Sequence, residues 1–170
     1  MRLYLLRHAI AAPRDPKGFP GDVARPLTPE GRSRMERAAR GIRMLDLGLD
    51  LILTSPLARA HQTARIVARE LKPSPPVKVH KLLSPGGAAP HVVAGIPAGS
   101  RISSVLLVGH EPDLSRLAGH LLLAPPLSLP IEFRKGGLCR IDFDGEPRAA
   151  SGKLVFHLTP RLLRTLAGRD

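Results

Sequence analysis

Three short polar clusters, far apart in the chain, carry side chains able to handle a phosphoryl group: Arg7-His8, the segment Ser55 to Arg59, and Gly109-His110. A neutral imidazole has a nucleophilic nitrogen and an ordinary pKa of about 6.5. His8 can attack phosphorus and form a covalent phosphohistidine if its other nitrogen carries the proton and donates it to a backbone carbonyl. The guanidinium of Arg7 offers a planar fork of donors that matches phosphate oxygens. Arg59 falls in the first turn of an expected helix, where free backbone N–H groups and the positive dipole end favour an anion. A protonated His110 can hold non-bridging oxygens as they gain charge, and Gly109 before it leaves room for a ligand. Taken singly, each residue has a plainer reading: a polar strand end for His8, a solvated helix residue for Arg59, a turn histidine for His110.

Other chemistries fit less well. His8, His110 and a carboxylate are zinc-ligand types, but Arg7 beside His8 disfavours a cation. No His-x-His or His-Glu-x-x-His pattern is present, so neither a metal nor a cofactor is expected. There is no Gly-x-x-x-x-Gly-Lys-Ser/Thr loop, no Gly-x-Gly-x-x-Gly turn and no Gly-x-Ser-x-Gly elbow.

The surrounding elements explain how such clusters could meet. Leu3 to Leu6 reads as a buried strand that ends at Arg7-His8. Ala9 to Arg25, rich in Pro, Gly and charge, reads as a long loop of functional length. Thr28-Pro29-Glu30 opens a helix by capping, with Met35, Ala38, Ala39 and Ile42 on its apolar face and Gly48 as its stop. Leu49 to Leu53 reads as a strand, and Ser55-Pro56 opens a second helix by the same logic, ended by Pro73. Val77 to His80 is a short strand candidate and Pro90 to Ala94 a short helix. Val105 to Val108 is the clearest third core strand, with Asp113 capping a helix through Leu121. Leu138 to Phe143 and Lys153 to Leu158 read as an antiparallel pair, and Pro160 to Leu166 as a terminal helix. Strands separated by helices predict an α/β fold: a three-layer α/β/α sandwich with a mostly parallel central sheet and an antiparallel edge. Ligands in that architecture sit beyond the carboxyl ends of the strands, where all three polar clusters fall.

The bulk composition adds limits. A length of 170 residues predicts one domain spanning 1–170. With one Tyr, four Phe and no Trp, the core must be mainly aliphatic. The lone Cys139 has no intrachain disulfide partner, and Met1 to Leu6 is too short for a signal peptide, so a cytoplasmic location is expected. No segment approaches the roughly 20 apolar residues of a membrane helix. The net charge of +12 attracts anions. Scarce aromatics weigh against nucleic acid as the partner, and a basic surface with no specific polymer ligand is the plain reading of the charge.

Taken together, the clusters resemble the signatures of the histidine phosphatase, or phosphoglycerate-mutase-like, superfamily. Leu5-Leu6-Arg7-His8-Ala9 is similar to its first signature, Thr54 to Ala64 to its second, and Val108-Gly109-His110-Glu111-Pro112 to its third. Asp22-Val23-Ala24-Arg25-Pro26-Leu27-Thr28 resembles the Asp-x-x-Arg-Pro-Leu-Thr pattern of the SixA branch of phosphohistidine phosphatases. That resemblance implies His8 as nucleophile, Arg7, Arg59 and His110 as phosphate ligands, and hydrolysis of phospho-His8 by water without a metal. It implies Asp22 as leaving-group acid, with Glu111 as competitor, because Lys81 to Ser104 contains no Asp or Glu. Arg25 would bind phosphate or fix the first loop through Asp22. Ala9 stands where glycine is commoner. The implied substrate is a phosphorylated protein such as a histidine phosphotransfer domain. A small phosphorylated metabolite, including a sugar phosphate, is the alternative, and a non-catalytic phosphate-recognition module is the contrasting class.

Overall fold

The computed structural model describes residues 1–14, 21–97, 99, 102–127 and 129–168. Residues 15–20 of the expected Ala9–Arg25 loop lie outside them. The elements in chain order are β1 (Arg2–Arg7), α1 (Pro29–Met44), β2 (Leu51–Thr54), α2 (Ala58–Glu70), β3 (Val77–Val79), α3 (Ala89–Ala94), β4 (Ser104–Gly109), α4 (Asp113–Leu122), β5 (Leu138–Asp142), β6 (Lys153–Leu158) and α5 (Pro160–Leu166).

One six-stranded sheet runs in the order β3-β2-β4-β1-β5-β6. The first four positions are mutually parallel, and β5 and β6 complete an antiparallel edge. Both faces are covered, so the central strands are continuous apolar runs whose alternate residues enter different cores. Tyr4 and Leu6 of β1 join Ile52, Leu106 and Val108 against α1, α2 and α5. Leu3 and Leu5 join Leu53, Val105 and Leu107 against α3 and α4. The three-layer α/β/α arrangement expected from the sequence is therefore present, including its antiparallel edge.

Several helix boundaries differ from expectation. Thr28 caps α1 as expected, its hydroxyl accepting from the Gly31 N–H at 2.9 Å. The helix stops at Met44, and Gly48, with φ of 56°, lies in the link beyond it. Ser55 is not the cap residue of α2: that position is Leu57, whose N–H donates to the Ser55 hydroxyl at 3.3 Å while the same hydroxyl meets His110. Asp113 does not cap α4 either. It is the first helical residue, and its carboxylate accepts from the Gly86 N–H at 2.8 Å across the α3–α4 side. A tertiary partner thus takes the Asp113 carboxylate, whereas Ser55 keeps its local bond beside its tertiary one.

Register brings the site together. β1 and β4 are paired so that Arg7 is opposite Gly109, and the His8 N–H continues the ladder to the Gly109 carbonyl at 3.1 Å. On the other side of β4, Thr54 pairs with Val108, and the Ser55 N–H donates to the Val108 carbonyl at 3.0 Å. His8, His110 and Ser55 thus leave three adjacent parallel strands at the same edge. Because β5 is antiparallel to β1, the segment before it returns to that edge, with Gly136 N–H donating to the Arg7 carbonyl at 3.0 Å.

Candidate active site

His8 is 7% exposed and His110 3%, with ring centroids 5.0 Å apart and planes tilted by 55°. Nδ1 of His8 lies 2.7 Å from the Ala9 carbonyl, which can only accept. Nδ1 therefore carries the proton, and Nε2 keeps a free lone pair. The Ala9 backbone is held as well: its N–H donates to the Thr63 hydroxyl at 3.1 Å, which donates to the Arg59 carbonyl at 2.7 Å. Thr63 thus ties the backbone beside His8 to the first turns of α2. Ala9 is absent from the positive-φ positions, so its side chain costs no backbone strain.

Burial, opposed by the Ala9 hydrogen bond and reinforced by the charges of His110, Arg59 and Arg7, pushes the His8 pKa down to about 3. Burial and the Arg59 charge push His110 down to about 4. Both rings are neutral at neutral pH. In the free protein, burial and a nearby guanidinium keep the second proton off His110. His110 Nε2 lies 2.9 Å from the Ser55 hydroxyl, and Nδ1 is buried without a partner. Gly109 sits close against α4. A Cβ there would sit 3.2 Å from the Leu114 side chain, so the missing side chain serves the packing of α4.

Arg59, 3% exposed, donates to the Asp22 carbonyl at 2.8 Å and to its carboxylate at 2.7 Å. Arg25 donates to the other carboxylate oxygen at 3.0 and 2.8 Å and to the Ala12 carbonyl at 2.7 Å. Arg25 therefore fixes the first loop through Asp22. Burial pushes the Asp22 carboxyl up, but hydrogen bonds and charge from Arg59 and Arg25 outweigh it and hold the group below the ordinary aspartate value. It stands as a carboxylate clamped by two guanidiniums.

Arg7 donates to the Phe133 carbonyl at 2.6 Å. The Phe133 N–H donates to Glu111 at 2.7 Å, and the same oxygen accepts from the Ser115 hydroxyl at 2.8 Å. Glu111 thus anchors the strand-like segment that orients Arg7. Four expected residues, Arg7, His8, Arg59 and His110, converge at the carboxyl edge of the sheet, with Asp22 and Arg25 behind Arg59. Nε of Arg7, Nε of Arg59 and Nδ1 of His110 are buried in this cluster without hydrogen-bond partners among the described residues. Among the described residues no three His, Cys, Asp or Glu side chains form a metal-binding group. Ser55 and Thr63 as site supports were not foreseen, although both stand in the second signature segment. The role of Phe133 rests on its backbone and has no sequence signal.

A family model described as histidine phosphatase superfamily (branch 1) matches residues 3–84. An uncharacterised protein of Picosynechococcus is 41% identical over 121 residues, covering 69% of this chain and 71% of its own length. This chain belongs to the histidine phosphatase superfamily. Phosphohistidine phosphatase SixA of Escherichia coli is 25% identical over 162 residues, 94% of each chain. The structure of protein histidine phosphatase SixA complexed with tungstate superposes with a TM-score of 0.82 at 25% identity, covering 96% of this chain and 99% of that one. The fold is the phosphoglycerate-mutase-like fold of these SixA relatives. An α-ribazole phosphatase from Shigella flexneri shares it at 20% identity and a TM-score of 0.72, covering 94% of this chain and 97% of that one. The chain is a phosphatase-family protein, and none of its described helices is long and apolar enough to cross a membrane.

Proposed function

We propose that this protein is a metal-independent phosphohistidine phosphatase that dephosphorylates a protein, such as a histidine phosphotransfer domain, in the cytoplasm. The observation that carries the reading is the free Nε2 of His8, fixed by the 2.7 Å bond from Nδ1 to Ala9, on a ring whose centroid lies 5.0 Å from that of His110. Nε2 attacks phosphorus, the substrate N–P bond breaks, and its electron pair returns to the departing imidazole. The positive charge that develops on the His8 ring is met by the Ala9 carbonyl. Arg7, Arg59 and His110 donate to the phosphoryl oxygens, and their three partnerless buried nitrogens supply the donors. An unmet buried donor costs about 1–3 kcal/mol, so a tetrahedral oxyanion gains what the protein alone forgoes. Tungstate, bound by the SixA relative, is such an oxyanion. Water then cleaves the N–P bond of phospho-His8, releasing inorganic phosphate.

Leaving-group chemistry favours phosphohistidine over a sugar phosphate. An alkoxide must be protonated as it leaves. Asp22 is held ionised between Arg59 and Arg25, and Glu111 Oε1 is engaged by Phe133 and Ser115. An imidazole already protonated on its distal nitrogen leaves without such help. The small-molecule alternative rests on relatives such as the α-ribazole phosphatase, whose likeness is one of fold.

Phosphohistidine peptide, phosphoserine peptide and a sugar phosphate, each incubated with chelator present, test the reading. Turnover of the first should exceed the others and vanish in His8→Ala. Turnover retained in that variant would reject the nucleophile, loss of wild-type turnover on chelation would reject metal independence, and preference for the sugar phosphate would reject the substrate.

A further inference from the structure

Apart from the histidine cluster, a groove of about 850 Å³ begins at Arg7 and Ala9, the two residues flanking His8. It runs between α1, the turn before β5 and the start of α5. Six cations line it: Arg7, Arg34, Arg134, Lys135, Arg161 and Arg164, against one carboxylate, Glu132. Only Arg34 among these six is paired with a carboxylate among the described residues, to Glu30 at 2.6 Å. Arg34, Arg134, Lys135 and Arg161 are exposed. Burial and the charges of Arg34, Arg37 and Arg161 lower the pKa of Arg164, which shows how closely like charges are gathered on this face. Clustered cations repel one another and weaken the fold unless they serve an anion.

The floor is different in character. Met35 and Ala38 of α1 are buried and apolar, with Ile10 and Pro160 beside them. No aromatic side chain lines the groove, so bases would find nothing to stack on. A cationic rim over an aliphatic floor complements a segment that carries carboxylates and an aliphatic anchor.

We infer that this groove docks an acidic surface segment of the phosphorylated protein, aliphatic residues on the floor and carboxylates on the rim, and so presents the phosphohistidine to His8. The inference rests on the proposed phosphohistidine reaction for its catalytic consequence, but not for binding. The groove is continuous with Arg7, so a segment seated in it lies alongside the reacting group.

Two phosphohistidine peptides of equal length, one flanked by Glu and Leu and the other by Gln and Ser, test the inference kinetically. The wild type should prefer the acidic peptide by about tenfold in kcat/KM, through KM. Arg161→Glu with Arg164→Glu should abolish the preference and leave turnover of the neutral peptide unchanged, since several surface charge pairs together make up about a tenfold effect. Equal kcat/KM for both peptides in the wild type, or a preference that survives charge reversal, would overturn it. Fluorescence anisotropy of the unphosphorylated, labelled acidic peptide reads docking even if neither peptide is turned over, and separates failure of the groove from failure of the proposed reaction. Absence of binding there overturns the groove. Tighter, Arg161- and Arg164-dependent binding of an RNA oligonucleotide of equal length would assign the groove to nucleic acid instead. Should the double variant fail to fold, Arg134→Glu with Lys135→Glu, on the exposed turn, makes the same test.

Discussion

At the scale of single residues, the site is governed by who holds each charged or titratable group. His8 is aimed by the Ala9 carbonyl, and the N–H of the same residue is held by Thr63. Arg59 is held by Asp22, so the guanidinium a phosphoryl group meets is already partly neutralised by a carboxylate. Removing that carboxylate has a defined consequence. Asp22→Asn is expected to tighten competitive inhibition by inorganic phosphate several-fold while phosphohistidine turnover falls by less than about tenfold. Loss of a true general acid removes about 10²–10⁴-fold, so steady-state kinetics of this variant with phosphate as inhibitor decides between clamp and acid. Cys139 has no part in such chemistry: burial pushes its thiol up to about 12.

At the scale of elements, close approach between helices positions the groove and steadies the site's outer wall. Gly41 of α1 faces the backbone of Leu163 in α5 so tightly that a Cβ would collide with the Leu163 carbonyl. Leu163 itself is fully buried. A backbone carbonyl cannot rotate away as a flexible side chain can, so one of the helices must shift. Gly41→Ala gains up to about 1 kcal/mol of helix propensity, yet overpacking typically costs about 1–3 kcal/mol. Net destabilisation is expected, seen as a lower urea midpoint. An unchanged or raised midpoint would mean that α5 moves freely on α1.

At the scale of the whole molecule, both buried histidines make stability depend on pH. Their folded pKa values, about 3 for His8 and about 4 for His110, lie below the ordinary value of 6.5. The unfolded chain therefore takes up their protons first as pH falls. Folded stability from these groups is complete above about pH 7 and declines as pH drops through 6.5 toward 4. Urea denaturation across pH 5 to 7.5 should show that decline, and His8→Gln with His110→Asn should flatten it. An identical slope in the variant would refute buried neutral imidazoles as its cause. The net charge of +12 is likewise a property of the whole chain whose meaning depends on placement. Arginines spread along the sequence gather in space around one groove.

The sequence by itself determined the strand and helix order, the superfamily and the four residues that converge, because apolar periodicity and strand-end motifs are local and parallel strands in a covered sheet end at one edge. It could not determine which partner each polar side chain chose. Ser55 and Asp113 looked like helix caps, yet Ser55 binds His110 and Asp113 binds the Gly86 N–H. For Asp22 the pairing with Arg25 was legible, but the bond to Arg59 was not. The orientation of Arg7 by the Phe133 backbone and the basic groove between α1 and α5 were invisible for the same reason. The last two depend on segments more than a hundred residues apart, and the others on nearer segments, being brought within hydrogen-bonding or packing distance, which only the folded chain decides.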